Sequence, residues 1–291
     1  MRSRKIIYSI VGILGILAII LFFIVRSSQN NELKVVFFDV GQGDAILISQ
    51  NNNQVLIDGG KDGKILMEKI GKYVPFWDRT IETVIETHPD QDHIGGLIDL
   101  FKTYRVETVL KTNMQSQSQT FKKLEEEISN NGSKVIEAKS GNVFQFSNGA
   151  LADVIFPFNA ISGSEEKDTN AASVVMKLSF GDNKFLFTGD LPALQEQEIL
   201  SRNIDIKSNF LKVGHHGSKY STSEEFLNAV DPSSAIISVG KNNSYGHPNQ
   251  ETLAKLQARK INILRTDEKG DIAYECKSAS WRTNVKCQIL Q

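Results

Sequence analysis

Residues 87–96 read THPDQDHIGG and bring His88, Asp90, Asp92 and His93 into one short stretch of a chain that has 5 histidines. Imidazole and carboxylate are the side chains that hold borderline and hard divalent cations. The H-x-D-x-D-H spacing, set in a turn, wraps alternate side chains around a small volume. Two ions can then be served by neighbours, His88 and Asp90 for one, Asp92 and His93 for the other. Without cations, acids so closely placed would repel one another. A helix cap by Asp92 accounts for a single aspartate, but not for the whole cluster with Gly95 and Gly96 behind it.

The other three histidines also fall in turn sequences. His215 and His216 form the pair in VGHHGS (213–218), and His247 sits in YGHP (245–248). Asp190 closes FLFTGD (185–190). What must position these groups is a set of short β-rich runs alternating with helical stretches. Strands are predicted at 33–39, 44–49, 54–58, 80–87, 106–111, 143–146, 151–157, 173–180, 184–190, 209–214 and 234–240, with further ones near 262, 271 and 282. Helices are predicted at 64–73, 94–103, 120–130, 192–202, 223–230 and 250–259. That alternation implies a layered α/β fold. His88, Asp190 and His215 each follow a strand, where the loops of such folds converge on a ligand. An acidic stretch, SGSEEKDTN (162–170), is placed to rim the site.

The N-terminus departs from this pattern. Arg2, Arg4 and Lys5 precede a run from Ile6 to Val25 that is almost wholly apolar. A bilayer span needs about 20 such residues, whereas the apolar part of a cleaved signal is usually about 7–15 long and ends at a small-x-small site. Val25-Arg26-Ser27 is a poor cleavage site, so residues 1–26 read as an uncleaved anchor and 27–32 as a tether to a domain over 33–291. More positive charge precedes the span than follows it, which keeps the N-terminus in the cytoplasm and the domain outside. Lys+Arg 33 against Asp+Glu 34, with Arg2, Arg4, Lys5 and Arg26 all flanking the span, leaves the domain net acidic. It carries no general nucleic-acid footprint, though local basic patches at Lys212, Lys219 and Lys241 remain open. The only cysteines, Cys276 and Cys287, lie in a segment that alternates like a hairpin, and export favours a disulfide over two buried thiols.

The cluster resembles the metallo-β-lactamase signature H-x-H-x-D-H, with Asp90 where most members have the second histidine. LIDGG (56–60) and FLFTGD extend the match. DVGQGDAILI (39–48), THPDQDHIGG, NAASVV (170–175), LKVGHHGS (211–218) and YGHP together are similar to the hydrolase domain of ComEC-type DNA-uptake proteins, from about Leu33 to Asp271. The resemblance implies a four-layer αββα sandwich, here preceded by one N-terminal transmembrane helix, with a dinuclear centre at one edge.

Carried over residue by residue, it gives His88 and Asp90 to one metal, Asp92 and His93 to the other, and Asp190 as the bridge. His247 becomes the late ligand. His215 becomes a further ligand or the catalytic group that steadies a phosphoryl oxygen and protonates the leaving group, with Asp92 beside it. Adjacent side chains diverge on an extended backbone, so His215 is assigned to the centre and His216 to a supporting or substrate-side position. No histidine lies between His93 and Asp190. Asn170 and Ser173 stand in that region, and the shift toward oxygen donors favours Mn2+, with Zn2+ the alternative. Asp58 is expected behind the ligands, orienting one of them. Asp44, beside the Gly41–Gly43 turn, is a weaker candidate for the same edge, and Asp39 reads equally well as a turn residue.

The function implied is that of a membrane-anchored, extracytoplasmic metal-dependent phosphodiesterase, a nuclease with DNA as substrate and DNA-uptake or envelope proteins as partners. The alternative enzyme hydrolyses cell-envelope phosphodiesters such as phosphocholine on wall polymers. The non-enzyme alternative is a metal-bound envelope sensor. β-Lactam hydrolysis ranks below these because the ligand set departs from that of the lactamases.

Overall fold

A computed structural model describes residues 2–27, 32–161, 168–280 and 283–290. Helix α1 (Arg2–Ser27) comes first. Its described side chains between Ile6 and Leu21 are exposed. Among the described residues no helix is long and apolar enough to cross a membrane, and the anchor stays an inference from sequence. Of the expected tether, residues 28–31 lie outside the described residues, as do residues 162–167 of the acidic loop.

The first half of the domain builds β1 (Glu32–Phe37), β2 (Ile46–Gln50), β3 (Asn53–Ile57), α2 (Gly63–Tyr73), β4 (Thr80–Ile85), α3 (Gln91–Ile94), α4 (Leu97–Thr103), β5 (Arg105–Lys111), α5 (Gln119–Asn131) and β6 (Lys134–Glu137). The second builds β7 (Val143–Gln145), β8 (Leu151–Phe156), β9 (Val175–Phe180), β10 (Asn183–Phe187), α6 (Ala193–Ser201), β11 (Phe210–Lys212), α7 (Glu224–Val230), β12 (Ser234–Ile237), α8 (Gln250–Ala258), β13 (Asn262–Arg265) and α9 (Thr266–Lys269). A hairpin, β14 (Ile272–Ser280) and β15 (Thr283–Leu290), then returns to the first sheet. The sheet orders are β15-β14-β1-β2-β3-β4-β5-β6 and β13-β12-β11-β10-β9-β8-β7.

Period-two alternation decides the layers. Leu33, Val35 and Phe37 of β1 point into the core between the sheets, where Phe185, Phe187 and Met176 meet them. Val36 and Phe38 point the other way, against Leu66 and Ile70 of α2 and Leu97 and Leu100 of α4. On the far side Leu211, Ile237 and Val175 pack with Phe226, Leu227 and Leu256 of α7 and α8. Helix, sheet, sheet and helix are thus stacked, as the family resemblance implies.

Several boundaries move for local reasons. The strand expected to run to residue 87 ends at Ile85, because Thr87 leaves the ladder to donate to Asp58. The strand expected from 173 begins at Val175, after a 3-10 turn over Thr169–Ala172 whose N-terminus Asp168 caps. β6 was not foreseen: its burial is slight and its residues Lys134 and Glu137 are polar.

Cys276 faces Cys287 across β14 and β15, and the two form the disulfide. It closes a short loop, so its loss is expected to cost about 3 kcal/mol by the chain-entropy estimate. Urea unfolding of Cys276→Ser/Cys287→Ser beside the parent chain would show this as a lowered midpoint. An unchanged midpoint would mean the hairpin needs no staple.

Candidate metal centre

The loops at the C-terminal ends of β3, β4, β10, β11 and β12 meet at one edge of the sandwich, two from the first sheet and three from the second. Gly96 makes the THPDQDHIGG turn possible: a Cβ there would collide with the Gly59 carbonyl, so only glycine lets α4 start against the β3 loop. Gly43, at φ 126°, likewise leaves room for the Asp92 carbonyl, to which the Asp44 amide donates at 3.3 Å.

Each buried imidazole is held from behind by its Nδ1. His93 donates to Asp58 Oδ2 at 2.8 Å. Thr87 gives its only hydroxyl proton to the same Asp58 oxygen at 2.7 Å, so at 2.9 Å it accepts from His88. His216 donates to the Ser238 carbonyl at 2.9 Å. These partners fix the tautomers. In the neutral rings every Nε2 lone pair therefore faces inward.

The inward atoms converge on one carboxylate. Asp190 Oδ2 lies 3.4 Å from His93 Nε2, 3.2 Å from His216 Nε2 and 3.8 Å from His215 Nε2. Asp92 Oδ2 is 3.4 Å from His216 Nε2. None of the Nε2 atoms of His88, His93 and His216 makes a hydrogen bond, nor does Asp190 Oδ1, although all are buried. Orphaned donors and acceptors of this kind are rare in proteins and call for a missing partner. The ligand atoms of His88, His93 and Asp190 lie within 4.8 Å of one another, and so do those of Asp92, His93 and His216. Three imidazole lone pairs and two carboxylates aimed at one space fit divalent cations.

Without a cation, protons take its place. Burial opposes charge on His93 and His216, but Asp190 outweighs it, holding His93 well above the usual imidazole range and lifting His216 to about 9. Burial likewise opposes charge on Asp190 and Asp92, yet His216, aided by His93, holds both below the usual carboxylate range. Burial, with His93 beside it, keeps His88 neutral. A metal must therefore displace a proton from His216 anywhere below pH ~9. Its apparent affinity should rise by about tenfold per pH unit for each proton displaced, as pH climbs toward 9. Mn2+ titrations at several pH values in buffers of different ionisation enthalpy would check this, and a pH-independent affinity would contradict it.

A family model described as the metallo-beta-lactamase superfamily matches residues 38–113, the segment that carries this turn and its supports. The chain has the metallo-β-lactamase fold. The solved metallo-β-lactamase-fold protein YhfI from Bacillus subtilis superposes with TM-score 0.56 at 12% identity, covering 84% of this chain and 99% of that one. ComE operon protein 3 of Bacillus subtilis (strain 168) is 33% identical over 282 residues, 91% of this chain and 36% of that protein. Competence protein ComA of Neisseria gonorrhoeae is 28% identical over 269 residues, 90% of this chain and 34% of that protein. The chain spans about a third of the length of the curated relatives it matches.

Within this metallo-β-lactamase domain the histidine pair departs from expectation. His215 and His216 are not extended: both adopt left-handed backbone, φ 50° and 53°. Both rings consequently turn toward Asp190 instead of diverging. His216 is the one buried in the cage, 1% exposed, whereas the His215 side chain is 30% exposed at its mouth. The assignment of His215 to the innermost position is corrected to His216. His247 stands one ring further out, 5.5 Å from His215 between centroids, with its Nδ1 buried and unpartnered. Asp90 lies at the rim, 3.8 Å from His88 Nε2 and accepting from Thr169 at 2.6 Å. Ser173 accepts from the Asp190 amide at 3.1 Å and so aims that loop, while the buried side-chain oxygen of Asn170 has no partner. Asp58 occupies the supporting place expected of it.

Two supports escaped sequence reading. Thr87 relays Asp58 to His88, and only its place at the head of the motif marks it. Lys212, left open as part of a local basic patch, is buried and pairs with buried Asp44 at 2.7 Å, tying the two sheets together beneath the cage. A lone lysine inside the apolar run FLKVG was the available signal. Replacing Lys212 with Met leaves a buried charge without its partner and should cost about 3–5 kcal/mol of stability, measurable by denaturant unfolding. A loss within experimental error would show that Asp44 finds another partner.

Proposed function

We propose that this chain is a membrane-anchored, extracytoplasmic, metal-dependent phosphodiesterase whose substrate is DNA. The observation that carries the reading is the set of three inward, unpartnered Nε2 atoms around Asp190. His88, His93, His216, Asp92 and Asp190 would hold the ions, with Asp190 shared between two groups and Asp90 joining from the rim. Divalent ions supply there a Lewis acid for phosphoryl oxygens and an acidified water. Mixed nitrogen and oxygen donors suit manganese or zinc. His215, at the mouth and 3.8 Å from Asp190, is placed to hand a proton to the leaving oxygen. Asp58, Thr87 and the Ser238 carbonyl keep the rings aimed.

DNA is preferred because relatives across nine-tenths of the chain include one named a competence protein. The anchor rests on the apolar run Ile6–Val25, whose described isoleucines and leucines are about half exposed in α1. Apolar surface so displayed is unfavourable in water and at home in lipid. The flanking charges orient it with the domain outside.

The full chain in lipid nanodiscs, assayed for bound metal and for cleavage of plasmid, single-stranded DNA and a small aryl phosphodiester, tests this. Metal-dependent DNA cleavage supports it. Cleavage of the small diester alone moves the substrate to the envelope, and protein that takes up no metal defeats the reading.

A further inference from the structure

Phe76 and Trp77 are 78% and 73% exposed, and their rings meet edge to face at 4.9 Å. They lie between α2 and β4, far from the metal cage. Two neighbouring bare aromatics on a short connection are a poor bargain for a surface that meets only water. Strand directions show what else is there.

β1 is antiparallel to β2, β2 is antiparallel to β3, and β3 is parallel to β4. β1 and β4 therefore run the same way, and Glu32 and Thr80 begin at the same end of the sheet. The ligand loops follow the opposite ends of β3 and β4. Two residues separate Trp77 from Thr80, and 28–31 separate Glu32 from α1. Those few residues reach ~18 Å at most. Three strand spacings set Phe76 and Trp77 ~14 Å sideways from Glu32. Arg79 and Arg105, hydrogen-bonded through their backbones at 2.9 Å, stand at the same end.

We infer that Phe76 and Trp77 are a second membrane contact, seated in the headgroup region of the bilayer that α1 spans. This inference rests on the anchoring part of the proposed function. Aromatic rings are the side chains most at ease at that depth. The adjacent arginines complement anionic headgroups. With two points of attachment, the domain stands with its metal edge turned away from the lipid.

The test uses the full chain in vesicles of phosphatidylethanolamine and phosphatidylglycerol, with Trp281→Phe leaving Trp77 the sole indole of the two. Bromine placed high on the acyl chains should quench Trp77 roughly twofold and its emission should be blue-shifted, as for an interfacial indole, while aqueous iodide quenches it poorly. The converse variant, Trp77→Phe, must lose that lipid-quenched component, which covers the case where Trp281→Phe does not fold. A chain that floats with the vesicles but keeps Trp77 open to iodide overturns the contact and spares the anchor. Shielding from iodide without lipid quenching points to a protein partner and also overturns it. A chain that does not float removes the anchor and the contact together.

Discussion

Asp190→Asn is expected to lower the proposed hydrolytic activity by on the order of 10³ or more, beyond the 10–100-fold typical of a residue that only orients a ligand. The change keeps the shape of the side chain and removes its charge. That charge faces three imidazoles at 3.2–3.8 Å, and Asp190 supplies ligand atoms both to the group with His88 and His93 and to that with Asp44 and His216. Bound metal should fall with activity, which metal analysis of the purified variant would register. A variant that keeps its full metal complement and loses only turnover would make Asp190 a proton-handling group. Full activity would displace the centre altogether.

The histidine pair provides the second large effect, because neighbours in sequence should behave differently. His216→Ala removes a buried Nε2 lying between Asp190 and Asp92, so metal content and activity are expected to drop together. His215→Ala removes a partly exposed ring at the mouth and should leave metal content near that of the parent. Its turnover should still fall by ~10²–10⁴, the range for loss of a positioned proton donor. Metal analysis paired with kcat at several pH values separates the two. Equal metal loss in both variants would mean that both rings are ligands and that another group serves the leaving oxygen.

Much of this was legible because chemistry and burial write different patterns. The central strands read as apolar runs bounded by turns, and the ligand residues are polar groups following such runs, so His88, His93 and Asp190 could be named from one sequence. Asp58 was legible for the same reason. The order of His215 and His216 was not, since a left-handed pair of non-glycine residues leaves no mark in composition. The burial of Lys212 was not legible because its charge argues for the surface, and its pairing with Asp44 from the other sheet makes burial tolerable. β6 is too short and polar to announce itself, and the return of β14 to β1 is a long-range pairing that no local pattern encodes.

That return sets a clock. Glu32 pairs with Lys277 and Phe37 with Ile272, so the first strand of the domain completes one of its two ladders only when the last hairpin arrives. At ~5–20 residues per second of synthesis, the outer edge of β1 waits for tens of seconds with its amides and carbonyls unsatisfied. Edges of that kind recruit whatever strand comes near. The newborn chain is therefore open to mispairing along β1 until that last hairpin arrives.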